Sequence, residues 1–346
     1  MAKQFLTSLD DEQLRSALTK LGEPRYRLDQ ILRWVYKDNV STFAQMSDLP
    51  NELRIRLAER VSIRSIKLQS EYCSAEDSTR KLLFYTRDNH AIESVLIPRK
   101  DGYALCISSQ VGCGMGCPFC ATGYMGMSRN LESGEIIDQF LSVRDHTREM
   151  NQEVVSVIFM GMGEPMANFP NVRKAICRII SEDGCQFGVR RITISTIGVK
   201  GWVSRLSKSL KNVGLAVSLH APDDELRMRL VPAVRNSPLA GLMQECKDHQ
   251  YVTKRRTTYE YVMLRHVNDF ESQAESLAKL LQGQLCHVNL IPFNRVTEAP
   301  FSPSDSVSTA RFERILAGNG IPVTVRTPRG RDIDAACGQL AARDLT

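Results

Sequence analysis

From residue 104 onward, short apolar runs alternate with longer amphipathic stretches. ALCISSQV, VVSVIFMG, RITIST, GLAVSLH, TYEYVMLR, CHVNLIPFN and PVTVRT read as strands. Most are separated by segments such as SGEIIDQFLSVRDHT, VRKAICRIISE, LAGLMQECKDH and FESQAESLAKLLQG, where apolar residues return every three or four positions, the spacing of a helix. Strand followed by helix, repeated, predicts a parallel sheet with crossover helices: a doubly wound sheet, or a full or partial β/α barrel. Polar residues at the strand ends favour the barrel. Gly163 and Glu164 follow one strand, Ser195 closes another, and His220 and Asn294 close two more. In β/α barrels the working residues gather where strands run into their loops.

The earlier part of the chain has a different pattern. DDEQLRSALTKL, LDQILRWVYKD and LPNELRIRLAERV have helical spacing, so residues 1–72 form a small helical unit. GEPRYR, between the first two, is either a plain connection or a corner that touches RNA. KLLFYTR and AIESVLIPR, joined at DNH, predict a strand pair within residues 73–103. The α/β barrel then occupies 104–346.

Composition narrows the class. Of 346 residues, 42% are hydrophobic and 24% charged, enough for an ordinary globular core. No apolar run approaches the roughly 18 residues of a membrane span, and Met1 to Leu6 carry no apolar signal core. A cytoplasmic protein without membrane contact is expected. In that reducing setting ten cysteines point to metal binding or redox work rather than static disulfides. The net charge of +6 suits an anionic partner such as RNA, and equally many enzymes of small substrates.

Three of those cysteines, Cys113, Cys117 and Cys120, stand together in CGMGCPFC as CxxxCxxC. A structural zinc site wants four ligands, usually as two spaced pairs. Three thiolates on a four-iron cluster instead leave one iron open to a small molecule, held through an amine and a carboxylate. Gly112, Gly114 and Gly116 let the backbone wrap closely around a bulky group. Zinc completed by a distant histidine, or idle reduced thiols, remain alternatives on spacing alone.

Longer words sharpen the reading. CISSQVGCGMGCPFCATGYMG, FMGMGEP, ITISTIG, VSLHAP, HVNLIPFN and DIDAACGQL occur in that order. Together they resemble the radical S-adenosylmethionine RNA adenine methyltransferases of the RlmN/Cfr family, over the whole chain. The resemblance implies a partial β/α barrel carrying a 4Fe-4S cluster on Cys113, Cys117 and Cys120. It also implies two S-adenosylmethionine molecules per turnover. One methylates Cys337, and the second is cleaved to a radical that takes hydrogen from the S-methyl group. The resulting methylene radical adds to a ring carbon of adenine, which is too poor a nucleophile for direct methylation.

The same resemblance assigns the remaining roles. Gly163 and Glu164 in GMGEP match contacts to the amino end of S-adenosylmethionine. Ser195, the trio Ser218, Leu219 and His220, and Asn294 match its other contacts. Cys106 matches a resolving cysteine whose thiolate attacks the sulfur of Cys337, giving a transient disulfide as the product leaves. Glu93 in AIESVLIP matches the base that restores the aromatic ring. A monomeric enzyme and a reductant of the flavodoxin or ferredoxin class complete the set. Taken singly, the polar residues read as satisfied strand-end groups, Glu93 as a solvent-facing carboxylate and Cys337 as an idle thiol.

RNA contact is expected from Arg190–Arg191, from Lys254, Arg255 and Arg256, and above all from Arg326, Arg329 and Arg331, which lead into Cys337. The target adenine must leave its stack to be reached. Pro165, Pro292 and Arg329–Gly330 resemble the carbon-2 branch of the family. That branch acts on 23S ribosomal RNA at the peptidyl transferase centre and on an anticodon-loop adenosine of transfer RNA. STIGVKGW departs from its usual wording and leaves open carbon-8 methylation, linked to antibiotic resistance, or another RNA site. A rival of another class is a non-catalytic RNA-binding protein with a structural metal.

Overall fold

The computed structural model describes residues 4–342; the outermost positions of the two terminal units, 1–3 and 343–346, lie outside it. The chain begins with α1 (Asp11–Lys20), α2 (Tyr26–Leu32) and α3 (Asn51–Arg60). Asp10 caps α1 by accepting from Gln13 N, while Gln13 bonds back to Asp10 N, so sequence and start site agree. The helices bury Leu14, Leu18, Ile31, Leu32, Leu53 and Leu57, in a core continuous with that of the sheet.

One central sheet of ten strands follows: β1 (Ile66–Cys73), β2 (Arg80–Thr86), β3 (Ala91–Arg99), β4 (Gly102–Cys106), β5 (Val154–Phe159), β6 (Ile192–Thr196), β7 (Gly214–Ser218), β8 (Thr257–Met263), β9 (Cys286–Pro292) and β10 (Val323–Val325). Their order across the sheet is their order in the chain, and β1 and β10 stay at opposite edges. Strands β1 to β4 pair antiparallel, and β4 to β10 pair parallel. Between the parallel strands run α4 (Ser133–Glu149), α5 (Phe169–Ile180), α6 (Trp202–Ser209), α7 (Leu239–Thr253), α8 (Glu271–Leu281) and α9 (Ser306–Gly318). This is the expected α/β partial barrel with an N-terminal helical unit. No helix of the described residues is long and apolar enough to cross a membrane.

Two local differences have physical reasons. β1 is absent from the sequence reading, and the boundary expected at residue 72 falls inside it. IKLQSEYC buries only Ile66 and lies at a sheet edge, so it lacks the apolar run of a central strand. ALCISSQV is not one strand either: β4 stops at Cys106, and Gln110–Gly112 pairs instead with Met127–Asn130 in a separate hairpin.

Candidate active site

That hairpin forms the base of the cysteine loop. Cys113 N donates to Gly126 O (2.7 Å), closing the loop, and the φ of +73° at Gly112 leaves no room for a side chain, whose Cβ would strike the Gly126 carbonyl. Gly116 also takes a left-handed φ, +67°, between Cys113 and Cys117. All three cysteines are half-buried and line one cavity of about 170 Å³. Burial pushes the Cys113 thiol up to about 11 and that of Cys117 well above its usual range, and their neighbouring sulfurs add to it. Thiols so placed ionise readily only against a metal.

Among the described residues no three metal-ligating side chains converge on one point as a single ion requires. A cubane presents its irons at separate corners, so three thiols around one cavity, on a loop that glycine bends, fit a cluster better than zinc.

The facing wall comes from the strand ends. Gly163 adopts a φ of +93°, and a Cβ there would run into Gln110. Glu164 is buried; one carboxylate oxygen accepts from Met166 N and the other from Ile197 N, both at 2.9 Å. Burial raises its carboxyl to about 7, against the pull of those amides. Ser195 and Ser218 place their hydroxyls 3.4 Å apart.

His220 is buried with φ +61°, and its Nδ1 accepts from Val262 N (3.1 Å). Burial, then the charge of Arg227, lowers it to about 3, so the ring is neutral and its proton belongs on Nε2. Leu219 lies behind this wall, fully buried, with its N–H bonded to Glu260 O; it holds the backbone and does not line the cavity.

Cys337 reaches the same cavity from the C-terminal segment. It is exposed and borders that cavity. The segment is sewn to the cysteine loop: Ala121 N donates to Gly338 O (2.7 Å) and Thr122 Oγ1 to Leu340 O (2.6 Å). Asn294 Nδ2 donates to Cys337 O (3.1 Å) while its Oδ1 accepts from Arg331 Nε (2.9 Å). Asn294 thus tethers Cys337 as well as lining the cavity.

Cys106 and Glu93 lie beside the cavity rather than on its wall. Register explains their shared side: Leu83 pairs with Glu93, Lys81 with Val95, and Val95 with Cys106, so Lys81, Glu93 and Cys106 occupy one face. Cys106 is buried at the end of β4, and desolvation raises its thiol to about 12, the nearby Cys337 adding to the effect. The expected disulfide is a transient of turnover; here all ten cysteines are free, and burial keeps the Cys106 thiol protonated until it acts. Nor is Glu93 solvent-facing. It is 0% exposed, with Oε1 3.2 Å from Lys81 Nζ and Oε2 accepting from Ala341 N and Ala342 N, both at 3.0 Å.

Sequence reasoning missed Lys81 and Glu260. Glu260, buried on β8, lines the cavity; its Oε1 accepts from Asn289 (2.9 Å), while Oε2 faces Arg326 at 3.6 Å. A carboxylate in the middle of the apolar run TYEYVM was the available signal. The basic clusters divide. Arg190–Arg191 and Lys254–Arg256 precede β6 and β8, at the end away from the cavity, whereas Arg326 and Arg329 follow β10 close to Cys337.

Comparison with known proteins gives concordant results. Residues 5–63 match the ribosomal RNA large subunit methyltransferase N-terminal domain, and residues 107–280 match the radical SAM superfamily. The chain is 41% identical, over 99% of its length and 92% of the relative's, to a probable dual-specificity RNA methyltransferase RlmN of Symbiobacterium thermophilum. It is also 41% identical to the dual-specificity RNA methyltransferase RlmN of Anaeromyxobacter dehalogenans, over 97% of its length and 91% of the relative's. The crystal structure of a radical SAM methyltransferase from Sphaerobacter thermophilus superposes with a TM-score of 0.95 at 43% identity, covering 98% of this chain and 100% of that one.

Proposed function

The chain belongs to the RlmN family of radical SAM RNA methyltransferases, and from that premise we propose that it methylates carbon 2 of adenosine, in the large ribosomal RNA and in transfer RNA, through S-methyl-Cys337. The supporting observation is the position of Cys337, an otherwise isolated cysteine hydrogen-bonded through its segment to the cysteine loop and open to the same cavity. Cys113, Cys117 and Cys120 are the ligands of a 4Fe-4S cluster in this reading. When bound, the cluster supplies the electron that cleaves S-adenosylmethionine to a carbon radical.

The protein's own groups do the rest. Glu164 offers a carboxylate to the ammonium of S-adenosylmethionine, and neutral His220 offers an N–H. Gly163, Ser195, Ser218 and Asn294 complete the contacts, with Leu219 holding the turn. The Cys337 thiolate displaces the methyl group from one sulfonium: a carbon–sulfur bond forms at Sγ and the sulfonium bond breaks with its electron pair. After the base is joined to the methylene carbon, Cys106 attacks Sγ of Cys337. A disulfide forms, the pair of the broken carbon–sulfur bond stays with the carbon, and that carbon takes up a proton. A cellular dithiol resets the pair. Before that exchange Glu93 would receive the ring proton, the unpaired electron of the adduct leaving to the couple that supplied it, and Ala341 and Ala342 must leave its Oε2.

The enzyme then works in the cytoplasm as a monomer, with a flavodoxin- or ferredoxin-class reductant and two S-adenosylmethionine molecules per turnover. The test is mass spectrometry of ribosomal and transfer RNA from a strain lacking the gene. Loss of 2-methyladenosine is expected. Retention of every methyladenosine would reject the proposal, and selective loss of 8-methyladenosine would move the chemistry to carbon 8.

A further inference from the structure

Cys337 stands on the wall of two cavities. One is the cysteine-lined cavity already described. The other, of about 430 Å³, has no cysteine besides Cys337 and runs beneath the C-terminal segment, bounded by Arg99 at the end of β3, Asn289 on β9, Thr324 on β10, and Arg326 and Arg329 beyond it. Ile291, Pro292 and Asn294 form the partition between them. A methyl group on Cys337 must be approached from two sides, by the group that activates it and by the carbon that accepts it. The first cavity holds the cysteine trio, which leaves the second for the acceptor.

The charges of the second cavity agree. Arg326 is balanced by Glu260 at 3.6 Å, but among the described residues Arg99 and Arg329 form no salt bridge. Partial desolvation at the cavity's rim, then the charges of Arg326 and Arg329, disfavours the Arg99 guanidinium, with Asp101 opposing. Like charges gathered at one cleft bind an anion strongly, and a guanidinium fork matches a phosphodiester. Asn289 and Thr324 also line the cleft, their side chains bonded to Glu260 (2.9 Å) and His287 (3.0 Å).

We propose that this second cavity is the seat of the acceptor nucleotide, its phosphates held by Arg99, Arg326 and Arg329 and its base brought under Cys337. The proposal rests on the reading of RNA as substrate. RNA therefore enters where the end of β3 and the segment after β10 border this cavity, not through the cysteine loop. Arg99 carries no motif and is the new member of the set.

The test is fluorescence anisotropy with a short single-stranded RNA containing one adenosine, titrated anaerobically into cluster-loaded enzyme over a range of salt. Arg99→Gln and Arg329→Gln are each expected to weaken binding by about fivefold or more and to lower the slope of log affinity against log salt by about one. Lys279→Gln, on the exposed side of α8, removes equal charge elsewhere and is expected to change neither. Wild-type affinity and slope in both arginine variants would overturn the seat while leaving RNA as the substrate. Failure of the wild-type enzyme to bind RNA would overturn the substrate reading and the seat with it. Both arginines lie at an exposed rim, so folding is checked by thermal melting. Photocross-linking from an azido-adenosine in the same RNA adds a test without substitution: adducts on peptides 97–99 and 324–329 are expected, and adducts confined to 190–191 or 254–256 would overturn the seat.

Discussion

Lys81 Nζ lies 3.2 Å from Glu93 Oε1, on adjacent strands and with both residues all but removed from solvent. A buried pair of this kind is fragile to the loss of one member, because the survivor is left as an uncompensated charge. Lys81→Met or Glu93→Gln alone should cost about 3–5 kcal/mol in urea unfolding. The double variant should cost clearly less than the two singles added together, which a double-mutant cycle will reveal.

Thiol accessibility separates the two cysteines that the proposed chemistry joins. Cys337 opens onto a cavity, whereas Cys106 is buried with a thiol raised to about 12. Iodoacetamide at neutral pH should label Cys337 well before Cys106, as read by peptide mass. Equal rates would mean that β4 opens in solution.

Cys106→Ala tests the order of events. Without a resolving thiol the RNA should remain joined to Cys337, so the variant should purify with RNA attached and absorb excess light at 260 nm. A folded, cluster-loaded variant free of RNA would remove Cys106 from the mechanism.

Glu164 makes the cavity sensitive to pH. Its folded-state carboxyl, near 7, lies above the ordinary value of 4.5, so between those values the native chain keeps a proton that the unfolded chain has lost. Stability of the free protein therefore falls as pH rises across that window, by an amount of order 3 kcal/mol. A cation beside Glu164 opposes the loss. The rise in melting temperature caused by S-adenosylmethionine should thus grow from about pH 6 to about pH 7.5, and Glu164→Gln should flatten it. The thiols of Cys113 and Cys117 face the same carboxylate, so the comparison belongs in cluster-loaded protein.

Gly112→Ala probes the loop directly. Its Cβ would overlap the Gly126 carbonyl that receives the Cys113 N–H. Iron and sulfide content after anaerobic reconstitution should drop severalfold while the melting of the remaining fold changes little. Full iron content would show that the hairpin base does not shape the cysteine loop.

Much of this was legible because parallel strands are covered on both faces. VVSVIF, GLAVS and CHVNLIP are nearly unbroken apolar runs, and their polar neighbours Glu164, His220 and Asn294 stand out at the ends. β1, half-exposed at an edge, has no such contrast. Lys81 and Glu260 escaped notice because a charge in a short strand reads as outward-facing, and their partners Glu93 and Arg326 are distant in sequence. The stitches from Ala121 and Thr122 to Gly338 and Leu340 all end on main-chain carbonyls, which carry no residue identity.

The two amides on Glu93 have a consequence of their own. Any outside group that seeks Oε2 must displace a rival belonging to the same polypeptide, and the rival is always at full local concentration. Between turnovers this self-competition keeps the carboxylate dry and deaf to stray donors, and only an occupant with binding energy from elsewhere in the molecule can claim it.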